Sequence, residues 1–217
     1  MIKIHERGRA IYKELIESYT RISTATLGHI LEFGFIAELK PLFPVKMVGP
    51  ALTVKAPSID STAVHLALDY AEPGDVLVID RCGDNAHACL GGIVAYAGRK
   101  KGVIGAVVDG SITDTEELLH QCFPVFYRQI SPLTTRILGY EGEINTQASI
   151  CGVVVNSGDL IVADNDGIVV LSPKKAEELI NVVVKRQERE KEIIDKIDSG
   201  TPLSSISGAN KYKEDKF

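Results

Sequence analysis

No run of 18 or more apolar residues occurs, so the sequence offers no membrane span. The stretch after Met1, IKIHERGRAIYKELI, also lacks the uninterrupted apolar core of a signal peptide, and a cytoplasmic location is expected. A basic cluster is missing too. The 24 Lys and Arg are scattered and outnumbered by 29 Asp and Glu, for a formal net charge of −5, which argues against a nucleic-acid partner. The four cysteines, Cys82, Cys89, Cys122 and Cys151, form no CxxC pair and read as reduced, core-like thiols. Cys82, His87 and Cys89 lie close together, but their spacing matches no standard zinc finger or ribbon. Neither GxGxxG nor GxxxxGK[ST] is present, which weakens any nucleotide-binding reading.

What is present is a chain of 217 residues, 45% hydrophobic, with enough apolar content for a full core. One domain is expected over residues 1–200, followed by a polar C-terminal tail over 201–217. The chemistry is expected between Gly74 and Asp114. There GDVLVID and VIGAVVDG, two apolar β-branched runs, end in Asp80 and Asp109, with a Gly-rich loop and a helix between them. That pattern is a βαβ unit. Ligands of open α/β sheets gather at the carboxyl ends of parallel strands, so both aspartates are expected to face one crevice.

Elsewhere the periodicities predict an amphipathic helix over 6–20. A second, capped by Ser23 or Thr24 and stopped by Gly34, carries His29. KMVGPALTVKAP (46–57) reads as a strand whose Gly49-Pro50 marks an edge or a bulge. Asp60 or Ser61 caps a helix through Tyr70 that carries His65, read as structural. A short helix opens at Asp114, and PVFYRQI (124–130) is a strand. Residues 153–173 read as three antiparallel runs separated by turns, with Asp159, Asp164 and Asp166 as turn formers. Ser172-Pro173 starts a long helix to about Ser199-Gly200, whose residual apolar stripe points to an oligomer. The tail after it reads as frayed.

In the central unit, Gly83, Gly91 and Gly92 surround a turn into a helix N-terminus, where free amides and the dipole attract a carboxylate or phosphate. DGSITD places Asp109 and Asp114 near each other, a carboxylate pair suited to a hard cation such as Mg²⁺.

The series VGPALTV (48–54), PGDVLVID (73–80), A-x-x-GG (88–92), RKKGVIGAVVDG (99–110), T-D-x-x-x-L (113–118), PVF (124–126) and GDLIVADNDGIVVLSP (158–173) closely resembles the RraA-like family. That family includes 4-hydroxy-4-methyl-2-oxoglutarate / 4-carboxy-4-hydroxy-2-oxoadipate aldolases and regulators of ribonuclease E activity. The resemblance implies an α/β fold with a swivelling β/β/α domain and a long C-terminal helix, assembled as a homotrimer or hexamer with sites between subunits. It implies a divalent metal cation, Mg or Mn, that polarises the ketone of a small 2-oxo acid so that a pyruvate enolate is stabilised on C–C cleavage; the same chemistry makes an oxaloacetate decarboxylase. Residue by residue, the metal-binding aspartate falls on Asp114. The backbone that holds the substrate carboxylate falls on Gly91, Gly92, Ile93 and Val94, and the substrate-binding arginine falls on Thr113.

The last position departs from the pattern. The aldolase motif is an acidic residue, twenty intervening residues, then Arg-Asp; here that spacing gives Gly92, then Thr113-Asp114. Arg81 or Arg99 could supply the cation from another direction, and His87 a proton relay. Glu188, Glu190 or Glu192 could be lent to a neighbouring subunit. Three functions follow: a metal-dependent aldolase or decarboxylase, a non-catalytic regulator that binds a ribonuclease or helicase, or an isomerase or dehydratase using the same pocket.

Overall fold

The protein, seen in a computed structural model that describes residues 1–213, is built on a strand that changes partners halfway along. In chain order the strands are β1 (Ile2–Ile4), β2 (Phe35–Ile36), β3 (Lys40–Pro41), β4 (Met47–Lys55), β5 (Val76–Asp80), β6 (Ala88–Leu90), β7 (Gly105–Ile112), β8 (Val125–Ile130), β9 (Gly142–Ile144), β10 (Ala148–Ile150), β11 (Val153–Val155), β12 (Leu160–Asp164) and β13 (Gly167–Leu171). The helices are α1 (Lys13–Tyr19), α2 (Thr24–Gly28), α3 (Thr62–Ala67), α4 (Gly92–Lys100), α5 (Thr115–His120), α6 (Pro173–Asp198) and α7 (Leu203–Ser207).

The first half of β4 pairs antiparallel with β12, and its second half pairs parallel with β5 and antiparallel with β9. Gly49-Pro50 therefore marks the change of partner in a central strand, not an edge. The long path of the sheet runs β2-β13-β12-β4-β5-β7-β8-β3. Its parallel core, β4-β5-β7-β8, is the expected βαβ architecture, with α4 as the crossover between β5 and β7.

Side-chain alternation sorts the core into layers, because successive strand residues point to opposite faces. Leu77, Ile79, Val108 and Ile112 pack under α3, α4 and α5. Val76, Val78 and Val107 face the β10–β11 hairpin and Ile161 of β12. Covering both faces is why these parallel strands read as unbroken apolar runs. On the far side of β12 and β13, Leu160, Val162, Val169 and Leu171 receive Leu15 and Tyr19 of α1, Leu27 of α2, and Ala176, Leu179 and Val183 of α6. Tyr19 spends its hydroxyl there on the Ala176 carbonyl, 3.0 Å away.

Several local expectations need correction. The first helix begins only at Lys13, because the preceding segment runs past the Ser157 backbone so closely that a side chain at Gly8 would collide with the Ser157 carbonyl. Arg7 anchors that segment by pairing with buried Asp75, its Nη1 donating at 2.8 Å. Ser23 caps α2 as expected, but the helix ends at Gly28 rather than at Gly34. The run 153–173 is not a three-stranded meander. β11 turns back onto β10 in a separate two-stranded sheet, and only β12 and β13 form the expected hairpin, itself continued by β4. In the tail, residues 203–207 form α7 instead of fraying, and residues 214–217 lie outside the described residues.

The long helix α6 begins at Ser172 and Pro173 as expected and buries only Ala176, Leu179 and Val183. Among the described residues, no helix is long and apolar enough to cross a membrane.

Candidate active site

Asp114 is the hinge of the site. It follows β7 in the left-handed region, φ 52° and ψ 44°, which a non-glycine residue occupies at some cost and Asp tolerates better than most. That turn aims its carboxylate away from its own helix. Asp114 Oδ2 accepts from the Gly92 N–H at 3.0 Å, so it caps α4 from outside and leaves α5 without a side-chain cap. Oδ1 has only the long 3.5 Å approach of Thr113 Oγ1 among the described residues.

This closeness explains both glycines. A Cβ at Gly91 would collide with Asp114 Oδ2 and lie 2.8 Å from Thr113 Cγ2; one at Gly92 would lie 2.5 Å from Glu117 Cγ. Glu117 therefore fills the space that a side chain at 92 would need. With Gly92 N–H taken by Asp114, the next α4 amides, Ile93 and Val94, have no partner within the helix and are open to an anion.

Gly91, Ile93, Val94, Thr113 and Asp114 line one cleft of about 260 Å³. Its other wall was not anticipated from the sequence. His65 stands on α3, and Thr134, Thr135 and Arg136 come from the loop after β8. That loop is zipped in place by backbone bonds: Ala88 N–H donates to Leu133 O, Thr135 N–H to Ala88 O, Arg136 N–H to Ile59 O and Ser61 N–H to Arg136 O, all within 3.0 Å. The buried Asp60 carboxylate ties the same loop to α3, accepting from Thr62 N–H and Oγ1 and from the Leu138 and Tyr140 amides. Burial works to raise the Asp60 carboxyl, but these bonds outweigh it and bring it down to about 2.

Asp80 and Asp109 do not belong to this cleft. They are register partners on β5 and β7. Each anchors the β10–β11 hairpin on the opposite face, Asp80 accepting from the Ser149 amide and Asp109 from the Cys151 amide. Asp109 is further held by Arg128, so it forms no cation-binding pair with Asp114. The three groups proposed as substitutes are also engaged elsewhere. Arg81 is buried against Asp84 and the carbonyls of Ala56 and Ser58, Arg99 bonds to the Gln121 carbonyl, and His87 bonds to Asp84. Glu188 borders a hollow between α1 and α6, away from the cleft.

The chemistry open to the cleft is restricted. It is lined by no lysine among the described residues, so no amine stands ready for a Schiff base. Thiolate chemistry is equally remote: burial pushes the Cys89 thiol up to about 11 and, with Asp109 nearby, the Cys151 thiol up to about 12. Among the described residues no three His, Cys, Asp or Glu cluster as a metal cage. What remains is one partly free carboxylate oxygen, two open amides, the hydroxyls of Ser61, Thr113, Thr134 and Thr135, an imidazole and a guanidinium.

Known proteins resemble this chain. A Halalkalibacterium halodurans protein, provisionally named 4-hydroxy-4-methyl-2-oxoglutarate aldolase, is 35% identical over 191 residues, covering 85% of this chain and 90% of its own. The 4-hydroxy-4-methyl-2-oxoglutarate aldolase of Thermus thermophilus is 33% identical over 112 residues, 52% of this chain and 68% of its own. Streptomyces coelicolor RraAS2, described as an unusual member of the RNase ES inhibitor RraA protein family, superposes with a TM-score of 0.76 at 29% identity, covering 83% of this chain and 96% of its own. The profile of the RraA-like family, Aldolase/RraA, matches residues 22–170, a span that holds the βαβ core, the Asp114 turn and both walls of the cleft; the chain belongs to that family.

Proposed function

We propose that this protein is a divalent-metal-dependent carbon–carbon lyase acting on a small 2-oxo acid in the cleft at Asp114. The placement of Asp114 carries the reading. One of its oxygens caps α4 while the other is left with only a long hydroxyl contact, beside two open amides. The relatives named as 4-hydroxy-4-methyl-2-oxoglutarate aldolases support it.

Magnesium or manganese fits this donor set, because a hard cation that keeps most of its waters needs only one or two protein carboxylates. Asp114 would hold it, and when bound it would supply Lewis-acid polarisation of the substrate ketone. The Ile93 and Val94 amides, at the positive end of α4, would receive the substrate's 1-carboxylate. Thr113 would offer a single hydroxyl where the motif has an arginine. The exposed apolar side chains of Ile93 and Ile137 at the rim would exclude water once covered, and a homotrimer or hexamer with the cleft at a subunit junction would cover them. Sedimentation at micromolar concentration tests that assembly.

The deciding experiment is Mg²⁺-dependent pyruvate release from oxaloacetate by the wild type and by Asp114→Ala. Release well above free Mg²⁺, abolished by the substitution, is the expected result. A wild type no faster than free Mg²⁺ would sink the reading. It would favour a regulator that binds a ribonuclease, the alternative motivated by Thr113 and Gly92 and by the likeness to RraAS2. An isomerase or dehydratase in the same cleft would instead show ligand-induced stabilisation by 2-oxo acids without pyruvate release.

A further inference from the structure

We propose that Arg136 is the residue that selects substrates in this cleft: from the loop after β8 it supplies the guanidinium that the motif carries at position 113, and it receives a second, distal carboxylate. The proposal rests on the cleft being a 2-oxo acid site. Among the residues that line the cleft, Arg136 is the one with a permanent positive charge. Its main chain is gripped on both sides, N–H to Ile59 O at 2.8 Å and carbonyl to Ser61 N–H at 2.9 Å. Its side chain, in contrast, makes no hydrogen bond or ion pair with any described residue. Arg81, Arg99 and Arg128 are all committed to protein acceptors.

The exposed side chain has no protein partner to give up when a carboxylate arrives, and its fixed main chain keeps the guanidinium within reach of the cleft. His65 stands on the same side of the cleft and adds a second donor. Asp114 and the Ile93 and Val94 amides line the same cleft from other elements, the turn after β7 and the start of α4, so two separately held groups are available for the two carboxylates of a 2-oxo diacid. Moving the cation from 113 to 136 changes its task. Beside the metal-binding aspartate it would act on the reacting ketone. On the far wall it reads the tail of the substrate.

The test is calorimetric binding, with Mg²⁺ present, of 2-oxoglutarate and 2-oxopentanoate, which share a carbon chain length and differ in the distal carboxylate. The wild type should prefer the diacid by about 10- to 100-fold, the range of a charge-assisted bidentate contact. R136Q should lose that preference and keep its affinity for the monoacid; R136K, which retains charge without the fork, should recover part of it. Only the main chain of Arg136 serves the fold, so both variants should unfold at the wild-type temperature. A wild type that does not prefer the diacid, or an R136Q variant that weakens both acids equally, would overturn the proposal. The lyase reading is judged separately: selective diacid binding without pyruvate release keeps Arg136 and removes the lyase, and pyruvate release without diacid preference does the reverse.

Discussion

Replacing Asp60 by Asn should destabilise the protein by about 2–4 kcal/mol at neutral pH, and the loss should shrink as pH falls. Asp60 is 1% exposed and accepts from Thr62 N–H at 2.9 Å, Tyr140 N–H at 2.7 Å and Leu138 N–H at 3.2 Å, besides the Thr62 hydroxyl. A carboxyl held at about 2 instead of its ordinary 3.8 contributes about 2.5 kcal/mol, since each pKa unit corresponds to about 1.4 kcal/mol. The folded value is the depressed one, so this stability is complete above pH 4 and disappears as pH falls through 2. Asparagine keeps the shape but turns an NH₂ toward a donor N–H. Urea midpoints for wild type and D60N, at one protein concentration between pH 7 and pH 2, give the comparison. A difference below about 1 kcal/mol at pH 7, or one that does not narrow between pH 4.5 and pH 2, would refute the reasoning.

Gly91→Ala should cost about 1–3 kcal/mol from overpacking and reduce pyruvate release further than the stability loss explains, because its Cβ displaces Asp114; thermal unfolding and turnover at 25 °C separate the two. Gly92→Asp returns an acid to the motif position but forces its Cβ against Glu117, so it should unfold earlier than wild type, and Glu117→Ala should restore the G92D protein in the same scan. Arg7→Ala strands the buried Asp75 carboxylate and should cost about 3 kcal/mol, lowering the melting temperature by roughly 6–12 °C. A shift under 2 °C would mean that the N-terminal segment contributes little to the fold.

The βαβ core was legible because its signals are local: β-branched runs over 76–80 and 105–112, and a Gly-Gly pair opening α4. The long helix was legible for the same reason, through Ser172 and Pro173. Resemblance to the family led to Asp114, Thr113 and the Gly91–Val94 backbone, and these do line or border one cleft. The segment over 131–140 carried no such signal. It has no periodicity, and what holds it are backbone bonds to Ala88 and to residues 59–61, together with a buried aspartate far away in sequence. Arg136 is therefore not legible as a site residue in the sequence; the folded loop brings it to the cleft. The sequence reads His65, next to Leu66 on a helix, as structural, because helical periodicity does not show what a side chain faces across a cleft.

The misplacement of Asp80 and Asp109 has a simpler cause, and it bears on how the cleft works. Strand residues alternate faces, so residues an odd number apart on one strand point apart. Val107 faces the hairpin layer and Val108 the helix layer, which puts Asp109 with the hairpin. Asp80 follows Ile79 of the helix layer and goes the same way. Ile112 belongs to the helix layer, and the left-handed turn at Asp114 keeps that carboxylate there, against α4. One strand thus sends one aspartate to hold the hairpin and the other to the cleft. The division leaves Asp114 as the only carboxylate among the residues that line the cleft, with Oδ2 already committed to Gly92. In the proposed site a cation would take one oxygen from this chain and draw the rest of its shell from water, substrate or a neighbouring subunit. Selectivity would then not come from a rigid metal cage built by this chain. It would come from groups that read the substrate itself, the role proposed above for the α4 amides and for Arg136.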